Sequence, residues 1–167
     1  MEESPFDISL YKTTGEILGK GQYGEVFLIR KIEKPEEVAA AKFIKNHENM
    51  SNYDQLMIER EISILKQINH RAILKFIGYT TQSINDKNDT CRPTIVTEYL
   101  ENGTLKCMIE KEKEGKNLPE GWNATRKKIC LIGIADGMRY LHHHGIIHRD
   151  LKVENVLIDS DFFPRIC

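Results

Sequence analysis

Three residue types that phosphoryl transfer needs stand close together in His148-Arg149-Asp150-Leu151-Lys152-Val153-Glu154-Asn155. An aspartate can orient a hydroxyl and accept its proton, a lysine two positions on can neutralise a transferring phosphate, and an asparagine five positions on can give an oxygen to Mg²⁺. A second group lies far upstream. Gly19-Lys20-Gly21-Gln22-Tyr23-Gly24, followed by Val26, has the spacing G-x-G-x-x-G-x-V. Glycines at such positions let backbone N–H groups approach phosphate oxygens with no Cβ in the way. The same hexapeptide also marks dinucleotide-binding turns, and some glycine-rich hairpins are only turns. A dinucleotide site needs a helix after the glycines, whereas a β-branched strand follows here, which favours a hairpin over phosphates.

Two further charges bear on that hairpin. Lys42 closes the stretch Ala39-Ala40-Ala41, where small neighbours leave it room, although most strand lysines are simply solvated. On a helical wheel started at Leu56, Glu61 falls at about 140°, within the arc of Met57, Ile58, Ile62, Ile64, Leu65 and Ile68. A carboxylate on an apolar stripe is costly unless a cation meets it, and Lys42 is the candidate. The alternative is a side chain that snorkels to the edge of the stripe. The run His142-His143-His144 suggests a metal, but consecutive helical residues diverge, so a polar helix end explains it better.

The elements that must position these residues follow from pattern and punctuation. Strands are expected at Glu16 to Leu18, Glu25 to Ile29 and Val38 to Ile44, the first two joined by the long glycine tip and the last two by a turn holding Pro35. A helix starts after Ser51 and runs to about Ile68; strands at Leu74 to Tyr79 and Thr94 to Tyr99 flank a polar loop around Asn85 to Asp89. Beyond Glu101-Asn102-Gly103 the pattern turns helical, with helices over Thr104 to Lys113 and Asn123 to His144, the second ended by Gly145. Leu131, Ile134, Ala135, Met138 and Leu141 make its expected buried stripe. Strands at Val156 to Ile158 and Phe162 to Cys167 follow. The organisation is a tail over 1–10, a first lobe over 11–99 and a second, partial lobe over 100–167.

Composition narrows the class. The chain has 167 residues, 40% hydrophobic and 29% charged, enough for a real core and too apolar for disorder. With 24 basic against 25 acidic side chains, no broad positive field is available for nucleic acid or an anionic membrane. The longest apolar run, Ile129 to Ile134, falls far short of the roughly 20 residues a bilayer crossing requires. An acidic amino terminus without a signal layout, and four cysteines without C-x-x-C spacing, lead to the expectation of a cytoplasmic protein with free thiols.

In order and content these motifs resemble the eukaryotic protein kinase family. The resemblance implies an α+β, two-lobe fold: a five-stranded antiparallel sheet with one helix, then the first helices and catalytic-loop hairpin of an incomplete lower lobe. It implies that Gly19, Gly21 and Gly24 cover ATP phosphates, that Lys42 contacts the α- and β-phosphates, and that Glu61 holds Lys42. Asp150 would be the catalytic base and Asn155 a Mg²⁺ ligand, with Lys152 neutralising the transferring phosphate. Leu18, Val26, Ala40 and Leu157 would wall the adenine, Thr97 would limit the pocket's depth, and Glu98 and Leu100 would offer hinge backbone groups. ATP and Mg²⁺ are the implied cofactors, and a protein substrate and a regulatory protein the implied partners.

The departures from the family pattern are informative. Ala39-Ala40-Ala41-Lys42 stands where V-A-I-K is usual, a loss of packing volume that keeps the charge. Lys152 resembles serine/threonine kinases, while Thr97-Glu98-Tyr99-Leu100-Glu101-Asn102-Gly103-Thr104-Leu105 is similar to tyrosine kinases; that mixture resembles the tyrosine kinase-like group. The D-F-G triplet expected after the last strand is absent, so the sequence reads as a domain fragment whose long helix exposes apolar surface. The functional expectation is ATP-dependent phosphoryl transfer to serine or threonine hydroxyls of proteins, with doubtful turnover by the fragment alone. The alternatives are an ATP-binding or partner-binding module without catalysis and, third, a small-molecule phosphotransferase.

Overall fold

A computed structural model describes residues 6–21, 24–44, 51–81, 93–116 and 118–167, without the side chains of 52–54. Gln22 and Tyr23, the polar loop around Asn85 to Asp89, and Cys91 lie outside the described residues. The chain divides into two compact units, one of Met1–Ile68 with Phe76–Tyr99 and one of Asn69–Lys75 with Leu100–Cys167. The seven residues Asn69–Lys75, read from sequence as part of the first lobe, thus belong with the second unit.

The first unit is an antiparallel sheet of β1 (Tyr11–Gly21), β2 (Gly24–Lys31), β3 (Val38–Ile44), β4 (Phe76–Thr80) and β5 (Thr94–Glu98), in the order β1-β2-β3-β5-β4. Its helix is α1 (Asn52–Gln67), whose first turn begins with the Gln55 N–H donating to the Ser51 carbonyl at 3.1 Å. The glycine stretch expected to be a long tip is instead mostly strand: Gly19 pairs with Val26 and Gly21 with Gly24. The strands' ladder bonds extend through residues the hydrophobic pattern could not reach, because glycines add no apolar signal.

Directly paired residues share a face of the sheet, so register sorts the side chains. Phe27, Ile29, Ala39, Ala41 and Val96 fall on one face, where Ile29, Ala39, Ala41 and Val96 form a core with Ile8. Val26, Leu28, Ala40, Lys42, Ile44, Ile95 and Thr97 fall on the other, where Ile44 and Ile95 pack on Ile62 of α1. The alanine run is therefore split. Ala39 and Ala41 pack into the first core, and the room beside Lys42 on its own face comes from Ala40 alone, a correction to the sequence reading.

Residues 6–10, read as tail, are built into the unit. Asp7 caps a short 3-10 turn, Ile8–Leu10, by accepting the Ser9 N–H at 3.0 Å, and Ile8 is 0% exposed. Phe6 lies against Gly78 of β4 so closely that a Cβ there would meet Phe6 Cβ at 2.3 Å. Hydrophobic periodicity cannot announce so short an anchor.

The second unit holds α2 (Leu105–Lys113), α3 (Ala124–His143) and a hairpin of β6 (Val156–Ile158) and β7 (Pro164–Ile166). Thr104 caps α2 and Asn123 caps α3, each side-chain oxygen accepting an N–H three residues on. Gly145 follows α3 with φ +70, the left-handed conformation that ends helices. Ala72–Leu74 lies along β7: Leu74 N–H donates to the Ile166 carbonyl and Ile166 N–H to the Ala72 carbonyl, both at 2.8 Å. The last strand is shorter than expected, because Phe162 adopts φ +62 in the turn before it.

The stripe expected on α3 is displaced. Its buried residues are Cys130, Gly133, Gly137 and Leu141, while Leu131 is 66% exposed, Ala135 is exposed, and Ile134 and Met138 are half-buried. Two glycines bring this face against the hairpin: a Cβ on Gly133 would meet Pro164 Cγ at 2.6 Å, and one on Gly137 would meet Ile166 Cδ1 at 2.8 Å. Hydropathy favours the larger side chains, so it places the stripe around the helix from where contact occurs.

Candidate active site

In the first unit, register brings Val26, Ala40, Lys42 and Thr97 onto the sheet face that carries α1. Gly19 and Lys42 are both paired to Val26, one on either side. A bulge between Ile17 and Gly19 inserts Leu18 as an extra residue in β1, and its side chain is exposed beside the glycines. Bulges re-aim side chains in this way. Glu98 pairs with Ala39 and so belongs to the opposite face; of this residue, only the backbone can serve the Val26–Ala40–Thr97 face.

Lys42 Nζ lies 3.2 Å from Glu61 Oε1. Their side chains are 33% and 48% exposed, so the carboxylate sits at the rim of the α1 face and not in the middle of a buried stripe. An ion pair this open stabilises the fold by about 0–1 kcal/mol. Its consequence is positional: it ties the ammonium group to α1 on the sheet face that also carries Ala40 and Val26.

The glycines have two different physical reasons. A Cβ on Gly24 would lie 2.1 Å from the Phe43 carbonyl oxygen, so β3 itself requires glycine there. Among the described residues, a Cβ on Gly19 would meet nothing within 4 Å, and one on Gly21 only the Gly24 carbonyl at 3.8 Å. Packing among the described residues thus leaves Gly19 and Gly21 unexplained. A ligand backbone or phosphate approaching these two residues would account for both.

In the second unit, the loop before β6 brings together the three residues singled out from sequence. Asp150 Oδ2 accepts from Lys152 Nζ at 2.8 Å and from Asn155 Nδ2 at 2.9 Å, while Asn155 Nδ2 also donates to the Asp150 carbonyl at 2.8 Å. The hydrogen bonds from Lys152 and Asn155 hold the Asp150 carboxyl below its ordinary range, and the same bond to Asp150 raises Lys152 above its own. Asp150 is therefore a firmly ionised carboxylate, exposed and pointing its charge at two donors. Arg149, at φ +65, makes the bend that separates His148 from Asp150.

His148 has a part that residue type alone did not disclose. Its Nδ1 accepts the Asp150 N–H at 3.3 Å, which leaves Nε2 to carry the proton and donate to the Cys167 carbonyl at 2.9 Å. Cys167 N–H in turn donates to the Asn155 carbonyl at 3.0 Å. Imidazole, loop and hairpin end thus form one bonded circuit. Leu157 is half-buried on β6, bridged to Thr104, and Leu100 opens the segment that leads there.

Asn155 commits its Nδ2 to Asp150, so its remaining polar atom is an oxygen, the donor type a hard cation takes. Among the described residues no cluster of His, Cys, Asp or Glu would hold a metal. One amide oxygen suits a Mg²⁺ ion that arrives largely ligated by phosphate oxygens and water, not a resident ion in a protein cage. His142, His143 and His144 are exposed, with His144 Nδ1 2.9 Å from the Tyr140 carbonyl. Among the described residues no helix is long and apolar enough to cross a membrane.

Comparison with known proteins adds an independent line. Residues 12–167 match the protein kinase domain family. Over 152 residues, 91% of the chain, it is 34% identical to MAP3K epsilon protein kinase 2 of Arabidopsis thaliana. It is 34% identical over 148 residues to the human serine/threonine-protein kinase TNNI3K, covering 87% of the chain, and 31% identical over 152 to the Arabidopsis probable serine/threonine-protein kinase PBL23, covering 89%. The matched region spans 10%, 16% and 36% of those three proteins.

Proposed function

Because the chain belongs to the protein kinase family, we propose that it binds ATP with Mg²⁺ and serves transfer of the γ-phosphoryl group to serine or threonine hydroxyls of a protein. The observation that carries the reading is the Asp150–Lys152–Asn155 arrangement, an ionised carboxylate that accepts from a lysine ammonium and from an asparagine Nδ2 whose own amide oxygen is left over. Asp150 orients the incoming hydroxyl and takes its proton as the hydroxyl oxygen bonds to phosphorus and the bond to the ADP oxygen breaks. A carboxylate held below its usual range is a weak base, so the proton transfers late, when the hydroxyl is already bonding. Lys152 offsets charge gathering on the transferred group.

Lys42, held by Glu61, meets the α- and β-phosphates, with Gly19 and Gly21 giving backbone N–H groups close approach. Leu18, Val26, Ala40 and Leu157 contact the adenine, Thr97 bounds it, and the Glu98 and Leu100 backbones bond its edge. Asn155 would hold Mg²⁺, which supplies charge neutralisation on the phosphates. Lys152 supports a serine/threonine preference, with the hinge sequence favouring the tyrosine kinase-like group. A protein substrate, a regulatory protein partner and a cytoplasmic location complete the proposal, the last supported by cysteines without C-x-x-C spacing.

Calorimetry with ATP, with and without Mg²⁺, tests the binding half; uptake lost in Lys42→Met is expected, and no uptake by folded protein overturns it. Transfer to a generic protein substrate by the chain extended to include a D-F-G segment tests the chemical half, with Asp150→Asn expected to cost at least about a hundredfold. Tight ATP uptake that ignores Mg²⁺ and gives no transfer would favour a binding module without catalysis.

A further inference from the structure

Outside the residues discussed so far, the densest polar network of the second unit centres on Asp159, at the turn between β6 and β7. The residue is only 9% exposed. Its Oδ1 accepts the Asp161 N–H at 3.0 Å and the Phe163 N–H at 2.7 Å, and its Oδ2 accepts from Arg165 Nη2 at 3.1 Å and Nε at 3.3 Å. A buried carboxylate persists only with such partners. Closing a hairpin does not by itself call for this much: a serine or asparagine could receive the two loop amides without a guanidinium behind it.

What the network adds is a link to another part of the chain. The Asp159 carbonyl accepts Asn102 Nδ2 at 2.8 Å, the neighbouring Ile158 N–H donates to the Gly103 carbonyl at 2.9 Å, and Thr104 bridges to Leu157. Gly103 N–H closes a turn on the Leu100 carbonyl at 3.2 Å, with Gly103 at φ +69. Every one of these bonds requires the β6 end of the hairpin to stay in place, and the Asp159 carboxylate bonds brace that turn together with the backbone bonds between Asp159 and Phe162–Phe163.

We infer that Asp159 is a positioning residue: by locking the β6–β7 turn it holds the backbone of Leu100 to Thr104 in register with β6, and so sets where the Leu100 backbone meets a bound base. This rests on the nucleotide reading above for its purpose, though not for its geometry. Asp159→Ala releases the turn and with it the Asn102 and Gly103 bonds. Asp159→Asn keeps one acceptor oxygen for the loop amides and gives an intermediate effect. Asn102→Ala cuts the link alone and leaves the carboxylate network whole.

Two measurements test it: amide hydrogen exchange at Gly103, and calorimetric affinity for adenosine and for inorganic tripolyphosphate. In Asp159→Ala and Asn102→Ala, Gly103 exchanges faster while Ile29 and Leu141 keep their protection. Adenosine affinity weakens on the order of tenfold, and tripolyphosphate affinity stays as in the parent. Should Asp159→Ala fail to fold, Asn102→Ala carries both readouts. Unchanged Gly103 exchange overturns the clamp, and faster exchange with unchanged adenosine affinity overturns its role in placing the base. If the parent protein takes up neither adenosine nor ATP, the nucleotide reading fails, and Gly103 exchange still decides the clamp.

Discussion

At the scale of single residues, charge and backbone clearance make distinct claims. Lys152 and Asn155 depress Asp150, so their stabilising interaction is present above the unfolded carboxyl value of about 4 and is lost as pH falls through the lower folded value. Observing the Asp150 carboxyl carbon by NMR should show titration below the ordinary aspartate range, shifted upward in Lys152→Met. Gly24→Ala is expected to destabilise by about 1–3 kcal/mol, because β3 backbone fills the space, whereas Gly19→Ala changes stability by no more than about 0.5 kcal/mol. Thermal unfolding measures the first contrast, and ATP calorimetry should find Gly19→Ala the weaker binder. Among the described cysteines, burial pushes the Cys130 thiol up to about 11, so alkylation at pH 8 should mark Cys107 and Cys167 and spare Cys130. Mass spectrometry reads the result. These distinctions exceed what the sequence could disclose: G-x-G-x-x-G presents three equal glycines, and only the Phe43 carbonyl separates the third from the others.

At the scale of elements, much was legible wherever apolar periodicity and punctuation agreed. Val38–Ile44 and Val156–Ile158 have the bounds expected, and Asn123 and Gly145 mark the ends of α3. Legibility failed where contact depends on small residues. The α3 face that meets β7 is made by Gly133 and Gly137, which contribute no hydropathy, and the apolar stripe that was readable lies largely in solvent. The Phe6–Leu10 anchor failed for a related reason: it is too short for any period, and its partners Ile29, Ala39, Ala41 and Val96 come from three strands. Ile8→Ala should cost about 2–5 kcal/mol, as expected for a fully buried aliphatic residue. Chemical denaturation with an unchanged m-value checks it.

At the scale of the whole molecule, the ordered set of motifs made the family legible, while the exposure of α3 measures what the described residues do not cover. Leu131 and Ile132 are 66% and 69% exposed, adjacent on one side of the helix. Leu131→Lys with Ile132→Glu is expected to raise solubility and reduce concentration-dependent light scattering, with melting little changed, since neither side chain is in the core. A drop in melting temperature comparable to a core truncation would contradict that assignment.

The assignment of Asn69–Lys75 to the second unit has a practical result. The backbone enters and leaves that unit before Tyr99, so no single cut yields either half as an uninterrupted stretch. Stopping translation at Tyr99 would strand Ala72 and Leu74 without the Ile166 groups they bond and bare Ala72 and Ile73, which are 0% and 7% exposed. Separating the halves calls for excision of that short passage and a new splice from Ile68 to Phe76.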